Sequence, residues 1–266
     1  MKQLKLMVLT LTLLMGTMFT SCMDSGESGP QQWAGVVKVN DRMGYVTFTD
    51  AAGTELIPTN TIPVTLNARM AYIYCQVDEG QDLSTNPKSI KITLLADPTG
   101  IDATAITTPK VESSDVTTNA PVGSLSFASG YSTVAPFQFS ENTIVLPVLY
   151  RVKNVTTTED IKNELAKHTF TLFCYTDDIK SGDTILKLYL RYKVEDEPAA
   201  IAERATRTSS FKAYEISQIL REYTLKSGQT KPAKITIVAQ QNEYNNKLED
   251  TSTIEKVYEI EYKTAE

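Results

Sequence analysis

Few side chains in this sequence could do chemistry, and they are thinly spread. Its 266 residues hold one histidine, His168, and three cysteines, Cys22, Cys75 and Cys174. A catalytic triad needs a general base beside its nucleophile, so any such site must pass through His168. A zinc site draws several His or Cys ligands. Cys75 and Cys174 instead alternate with apolar residues, in Ile73-Tyr74-Cys75-Gln76-Val77 and Leu172-Phe173-Cys174, as buried free thiols do, with a disulfide between the two domains as the alternative. His168 therefore reads as a structural or surface residue. Two acidic loops could offer oxygens to Ca²⁺: Asp177 and Asp178 with Asp183, and Glu195-Asp196-Glu197. Neither has EF-hand spacing, and both read as solvated hairpin tips. No glycine loop of the phosphate-cradling or dinucleotide type occurs. The expectation is no metal, no cofactor and no enzyme. What remains is aromatic. In the run Tyr72 to Val77, Ile73, Cys75 and Val77 face one side and Tyr72, Tyr74 and Gln76 the other. With Trp33 and Tyr45, these tyrosines form a candidate stacking platform for a sugar or a peptide. Packing of the same rings against a second domain is the alternative.

The elements that would carry this platform follow an N-terminal leader. Lys2 and Lys5 precede an apolar run from Leu6, which ends at Thr20-Ser21-Cys22. The run is too short to span a bilayer, which needs roughly 20 residues, and it has the layout of a signal peptide. A cysteine after small residues resembles the lipobox of bacterial lipoproteins, in which cleavage exposes a cysteine that is then lipidated. Residues 1–21 are then the signal peptide, Cys22 is the lipidation site, and 22–30 is a flexible Gly/Ser tether. The lipid on Cys22 makes a membrane the first partner, since two or three acyl chains anchor stably.

The chain carries 26 basic and 32 acidic side chains, a net charge of −6. Loss of Lys2 and Lys5 with the leader makes the remainder more acidic still. An acidic envelope protein has no electrostatic reason to bind nucleic acid.

Period-2 alternation with Gly, Asn and Asp turns predicts five short strands over residues 31–97: Trp33–Val39, Gly44–Thr49, Thr54–Pro58, Ala71–Val77 and Lys88–Leu95. That count suits a small OB-like barrel. Residues 98–123, rich in Thr, Ser, Pro and Asp, read as a linker. Residues 124–266 read as a β-sandwich with mostly antiparallel strands. Its clearest strand has Leu186, Leu188, Leu190, Tyr192 and Val194 on one face. Pro147 predicts that the strand Thr143–Val152 lies at an edge or carries a bulge. Thr157–Ala166 reads as a capped helix, and Ile216, Ile219, Leu220 and Tyr223 share a helical face. The fold class is all-β with few short helices.

The order lipobox, tether, barrel and sandwich resembles the NigD-like lipoproteins of Bacteroidetes. The residues that carry the likeness are Gly44 to Asn60, Lys167 to Leu172, Leu186 to Tyr192 and Phe211 to Ser217. Members often have Leu-Arg-His where this chain has Leu190-Arg191-Tyr192. The resemblance implies an N-terminal OB domain, a C-terminal β-sandwich and an outer-membrane lipoprotein on the periplasmic or cell-surface side. It carries over no catalytic residue. Asp183-Thr184-Ile185 resembles the O-glycosylation sequon of this bacterial group, which implies Thr184 as acceptor. The function expected is a non-enzymatic binding or interaction module for an extracellular protein or glycan. The alternatives are a pilin-like structural lipoprotein and a bacteriocin-associated immunity protein.

Overall fold

The computed structural model describes residues 31–42, 45–60, 66–81, 83, 87–109, 117–129 and 132–264. The leader, Cys22 and the tether lie outside the described residues. The chain divides into two compact units: up to Ala103 with Ala128–Val134, and Thr104–Phe127 with Ala135–Glu266.

The first unit is a closed barrel of five strands, β1 (Gln32–Arg42), β2 (Tyr45–Thr49), β3 (Glu55–Pro58), β4 (Met70–Val77) and β5 (Ser89–Leu94). They pair in the order β1-β2-β3-β5-β4, and β4 returns to β1. The β3–β5 pair is parallel and the others are antiparallel. One long strand makes closure possible. The first half of β1, Gln32–Lys38, pairs with β4, and Lys38–Arg42 pairs with β2. Closure removes the free edges that an open sheet this small would expose. Alternation sends Trp33, Val37, Phe48, Ile73, Cys75 and Ile92 inward, each at most 5% exposed. The β2–β3 turn is fixed by Asp50. Its Oδ1 accepts from the amides of Ala52 at 2.9 Å and Thr54 at 2.8 Å, and Gly53 takes a φ of 87°. Three shorter strands follow: β6 (Thr99–Ile101), β7 (Ala103–Ala105) and β8 (Phe127–Ser129). The last pairs with β9 (Ser132–Val134), and β6 extends the barrel sheet beside β4.

The second unit packs two four-stranded sheets face to face. Its elements are β10 (Phe137–Ser140), β11 (Thr143–Val152), helix α1 (Thr158–Ala166), β12 (His168–Phe173), β13 (Ile185–Val194), helix α2 (Pro198–Ala202), β14 (Thr206–Glu215), helix α3 (Ser217–Ser227), β15 (Lys234–Gln241) and β16 (Ile254–Glu261). One sheet runs β10-β11-β14-β7 and the other β12-β13-β15-β16. Their inner faces share one core. Leu186, Leu188, Leu190, Tyr192 and Val194 of β13 are at most 2% exposed, as their alternation requires. They meet Ile144, Leu146 and Val148 of β11 and Tyr214 of β14 in that core. Truncating any of the leucines to alanine removes roughly 2–5 kcal/mol.

Two details depart from a simple antiparallel reading. β13 and β15 are parallel neighbours. The chain between them crosses to the opposing sheet as β14 and returns through α3. Residues 195–208, polar in sequence, supply α2 and the start of β14. β11 lies inside its sheet, yet Pro147 breaks no ladder. β10 pairs with it only up to Val145, and the next partner on that side is Ser124 at Leu149. The missing N–H of Pro147 falls in the gap, so the strand is locally an edge there.

Cys75 and Cys174 are free thiols, each 1% exposed. Burial pushes both up to about 12. Neither should react with Ellman's reagent in the native protein at about pH 8, where an ordinary thiol reacts readily. Both should react once the chain is unfolded in guanidinium. Rapid native labelling of either would show that its core opens.

Candidate functional site

The aromatic residues of the barrel divide between its two faces. Trp33 points inward and is 5% exposed. Gly35, two residues on and on the same face, makes room for it. A β-carbon there would stand 2.7 Å from the indole ring. The ring of Trp33 thus offers no surface to a ligand. Tyr72 and Tyr74 face outward, opposite Val36 and Ala34 of β1. Tyr74 is 37% exposed, and its hydroxyl donates to Oε1 of Gln32 at 2.5 Å. Tyr72 is half-buried, and desolvation pushes its phenol up. Tyr45 is open to solvent but pairs with Arg42, six residues along β1 from the partner of Tyr72. That is on the order of 20 Å of strand, so it stands apart from the other two.

His168 begins β12 and is buried. Nδ1 lies 2.6 Å from the Tyr192 hydroxyl and Nε2 3.3 Å from Oε1 of Glu164. A neutral ring with its proton on Nε2 satisfies both contacts. Glu164 is held in turn by Arg204, whose Nε donates to Oε1 at 2.7 Å and Nη2 to Oε2 at 3.2 Å. The Lys153 amide donates to the same carboxylate at 2.9 Å. Arg204 also reaches Asp196 at 3.0 Å and the Ala200 carbonyl at 2.8 Å. Lys153 and Lys167 complete the cluster on Asp196, at 3.1 and 3.2 Å. Burial alone would push the Glu164 carboxyl up, but Arg204, the Lys153 amide and His168 hold it below its usual range. Hydrogen bonds from Arg204, Lys153 and Lys167 do the same for Asp196. His168 is pushed down, chiefly by desolvation. The acidic run Glu195–Glu197 therefore supplies a carboxylate to an internal ion cluster.

The second acidic loop joins β12 to β13 and is held by the last turn of α3. Lys226 Nζ donates to the Thr176 carbonyl at 2.7 Å and pairs with Asp177 at 3.0 Å. The Gly182 amide donates to the Ser227 carbonyl at 2.8 Å, and the Tyr223 hydroxyl to the Asp183 carbonyl. The Lys180 amide donates to the Asp183 carboxylate at 2.7 Å. Among the described residues, no three His, Cys, Asp or Glu side chains converge to hold a metal ion. Beside this loop the outer face of β13 and β15 forms a cleft of about 500 Å³, lined by Tyr175, Asp178, Asp183, Lys187, Tyr189 and Thr236 among others. Thr184, an exposed residue, stands at its rim. The two signals for this cleft, an acidic loop and Lys187-Tyr189-Arg191 alternating outward, are separately visible in the sequence. Their proximity to Thr236 depends on the parallel β13–β15 register, in which Lys187 stands opposite Thr236.

A crystal structure of a Bacteroides fragilis protein assigned as a lipoprotein is 95% identical, with a TM-score of 0.82 over 89% of this chain and 100% of that one. The chain belongs to that Bacteroides lipoprotein family. Family members are membrane-anchored proteins of the cell envelope. A protein of unknown function from Bacteroides vulgatus shares the lipoprotein's fold at 12% identity and a TM-score of 0.55, over 88% of this chain and 92% of that one. A NigD-like immunity protein from Bacteroides caccae matches at 11% identity and a TM-score of 0.48, over 87% and 93%. No family model and no curated protein matches the chain.

Two outcomes test the ion cluster of this lipoprotein. Arg204→Ala should lower the unfolding free energy by about 3–5 kcal/mol, because it strands a buried carboxylate. Chemical denaturation measures it, and a loss below about 1 kcal/mol would show that water takes over the role of the arginine. The second outcome concerns pH. The folded pKa of His168 lies below its ordinary 6.5. The unfolded chain therefore binds the proton first, and this contribution to stability is full above about pH 6.5 and falls as the pH drops below it. Glu164, also depressed, adds a loss in the same direction at lower pH, below its ordinary 4.5. His168→Gln should flatten the decline in unfolding free energy between about pH 6.5 and 5. An unchanged slope would mean that His168 protonates as easily folded as unfolded.

Proposed function

We propose that this lipoprotein is a non-enzymatic binding module, held to the outer membrane by lipid on Cys22, that engages an extracellular protein or glycan. The observation that carries the reading is the outer face of the closed barrel. There Tyr74 presents an open ring fixed by Gln32, with half-buried Tyr72 beside it. An aromatic ring held by its own hydroxyl contact loses little freedom on binding, which favours recognition. The non-enzymatic reading draws on the groups that could have reacted. The ring nitrogens of His168 both have partners inside the protein, and burial keeps both thiols protonated. Under the same reading residues 1–21 are the signal peptide, 31–97 the OB-like barrel domain, 124–266 the C-terminal β-sandwich domain, and Thr184 an accessible acceptor for O-glycosylation.

The test is a binding screen of the lipid-free chain from Ser25 onward against glycans and envelope protein fragments of the same bacterium. Tyr72→Ala with Tyr74→Ala should abolish specific binding and leave the unfolding temperature within a few degrees. Binding that survives the double substitution removes the barrel face from the reading. A chain that polymerises with concentration and binds nothing would replace it with the pilin-like alternative.

A further inference from the structure

We infer that Arg151 and Arg207, paired across β11 and β14, form a binding site for a doubly charged oxyanion, the group that a phosphate monoester presents. The inference stands on the sandwich unit alone and goes beyond the barrel reading.

The two arginines are directly opposite each other in the β11–β14 ladder, so their side chains share one face of the sheet. Arg151 is 4% exposed, and Arg207 is open to solvent. Both reach the loop that joins β15 to β16. Arg151 Nη1 donates to the Asn242 and Asn245 carbonyls, at 3.2 Å each, and Nη2 to the Glu243 carbonyl. Arg207 Nη2 donates to the same Glu243 carbonyl at 2.8 Å. One oxygen thus holds two guanidiniums side by side. The loop is braced before any ligand arrives. Asn242 Oδ1 accepts from the amides of Tyr244 at 2.8 Å and Asn245 at 3.0 Å, and Asn242 Nδ2 donates to Thr253 Oγ1 at 3.0 Å.

These carbonyls complete the hydrogen bonds of Arg151 but bring it no net negative charge. Among the described residues no carboxylate pairs with either arginine. Two carboxylates of the loop are turned elsewhere: Glu243 accepts from Gln241 Nε2 at 3.0 Å, and Asp250 from Asn245 Nδ2 at 2.9 Å. Burial, and then the charge of Arg207, push the Arg151 guanidinium below its ordinary range. Of the described residues only the Tyr192 phenol acts the other way, and its own burial keeps it neutral. A desolvated charge is costly unless an opposite charge stands near it, and like charges opposed in a ladder add to that cost.

An anion from outside removes both penalties. A metal ion or an ammonium group would be repelled, and a neutral ligand would leave the two charges uncancelled. The Nε and Nη1 donors of Arg207 have no partner among the described residues, and a guanidinium fork matches two oxygens of one oxyanion. A carboxylate would cancel one charge and a phosphate monoester both. The buried charge of Arg151 is poorly screened by salt, so it adds to the attraction that Arg207 exerts at the surface.

The experiment is calorimetry on the full-length lipoprotein in an uncharged detergent, with chloride holding the ionic strength constant. The probe is inorganic phosphate at about pH 8, above its second ionisation, and acetate is the singly charged control. Phosphate should bind with a Kd of about 1 mM or tighter, and acetate about tenfold more weakly. Arg207→Ala should weaken phosphate about tenfold or more, and Arg207→Lys, which keeps the charge without the fork, should fall between. Arg207 is exposed, so neither change should alter the unfolding temperature by more than a few degrees. Arg151 is left in place because it holds the loop. Tyr72→Ala with Tyr74→Ala should bind phosphate as the parent does, which separates this site from the barrel reading. Glucose 6-phosphate and micelles doped with phosphatidic acid then tell a sugar phosphate from a lipid phosphate, and at least one should compete with free phosphate. The inference is overturned if phosphate does not bind at about 10 mM, if acetate binds as tightly, if Arg207→Ala binds phosphate as the parent does, or if neither monoester competes.

Discussion

A guanidinium shut away from water must find all its acceptors in the protein, and the one on Arg204 finds them on two connections of the sandwich. Its side chain has no solvent exposure. It holds Glu164 of α1, Asp196 ahead of α2 and the Ala200 carbonyl within α2. Glu164 then fixes the end of β11 through the Lys153 amide and the start of β12 through His168, which meets Tyr192 of β13. One end of the sandwich, where the chain passes from sheet to sheet, is thereby organised around a single charge. Desolvating these ions is costly, and an apolar cluster of the same volume could match it in stability. The ion cluster differs in directionality, since each contact fixes where a connection leaves its strand.

The opposite end of the same sheet is arranged by another rule. There α3 stops at Gly228, whose φ of 75° lets the chain leave the helix. The last turn of the helix turns its donors and carbonyls onto the β12–β13 loop. A helix that returns the chain from one sheet to the other thus also stiffens a hairpin loop, and the cleft beside that loop owes its shape to the crossover.

Much of this was legible in the residues. Period-2 alternation marked all five barrel strands and the buried face of β13, because burial on one side of a strand leaves a direct trace in composition. Pro147 marked a place where a ladder had to lapse, and it does, in the gap between Val145 and Leu149. The faces of the aromatics were harder to read. Trp33 turns inward because Gly35 yields the space, a relation set by a residue that has no side chain. Tyr45 parts from Tyr72 and Tyr74 because β1 changes partners at Lys38. The pairing of Glu164 with Arg204, forty residues apart, and of Lys187 with Thr236 follows from topology, which alternation does not encode.

The parallel pairing of β13 with β15 also bears on how the chain reaches its fold. The strand that completes that pair starts at Lys234, and β14 and α3 must be laid down on the far sheet first. The barrel, by contrast, can close once β5 has formed at Leu94. Contacts this distant in sequence slow folding, because the loop must be closed before the contact rewards it. A chain that crosses a membrane from its N-terminus would therefore fold in two stages. The barrel would form early, and the edge of β13 that pairs with β15 would wait unpaired. During that interval this open edge is the segment most exposed to aggregation, and the most natural hold for an envelope chaperone.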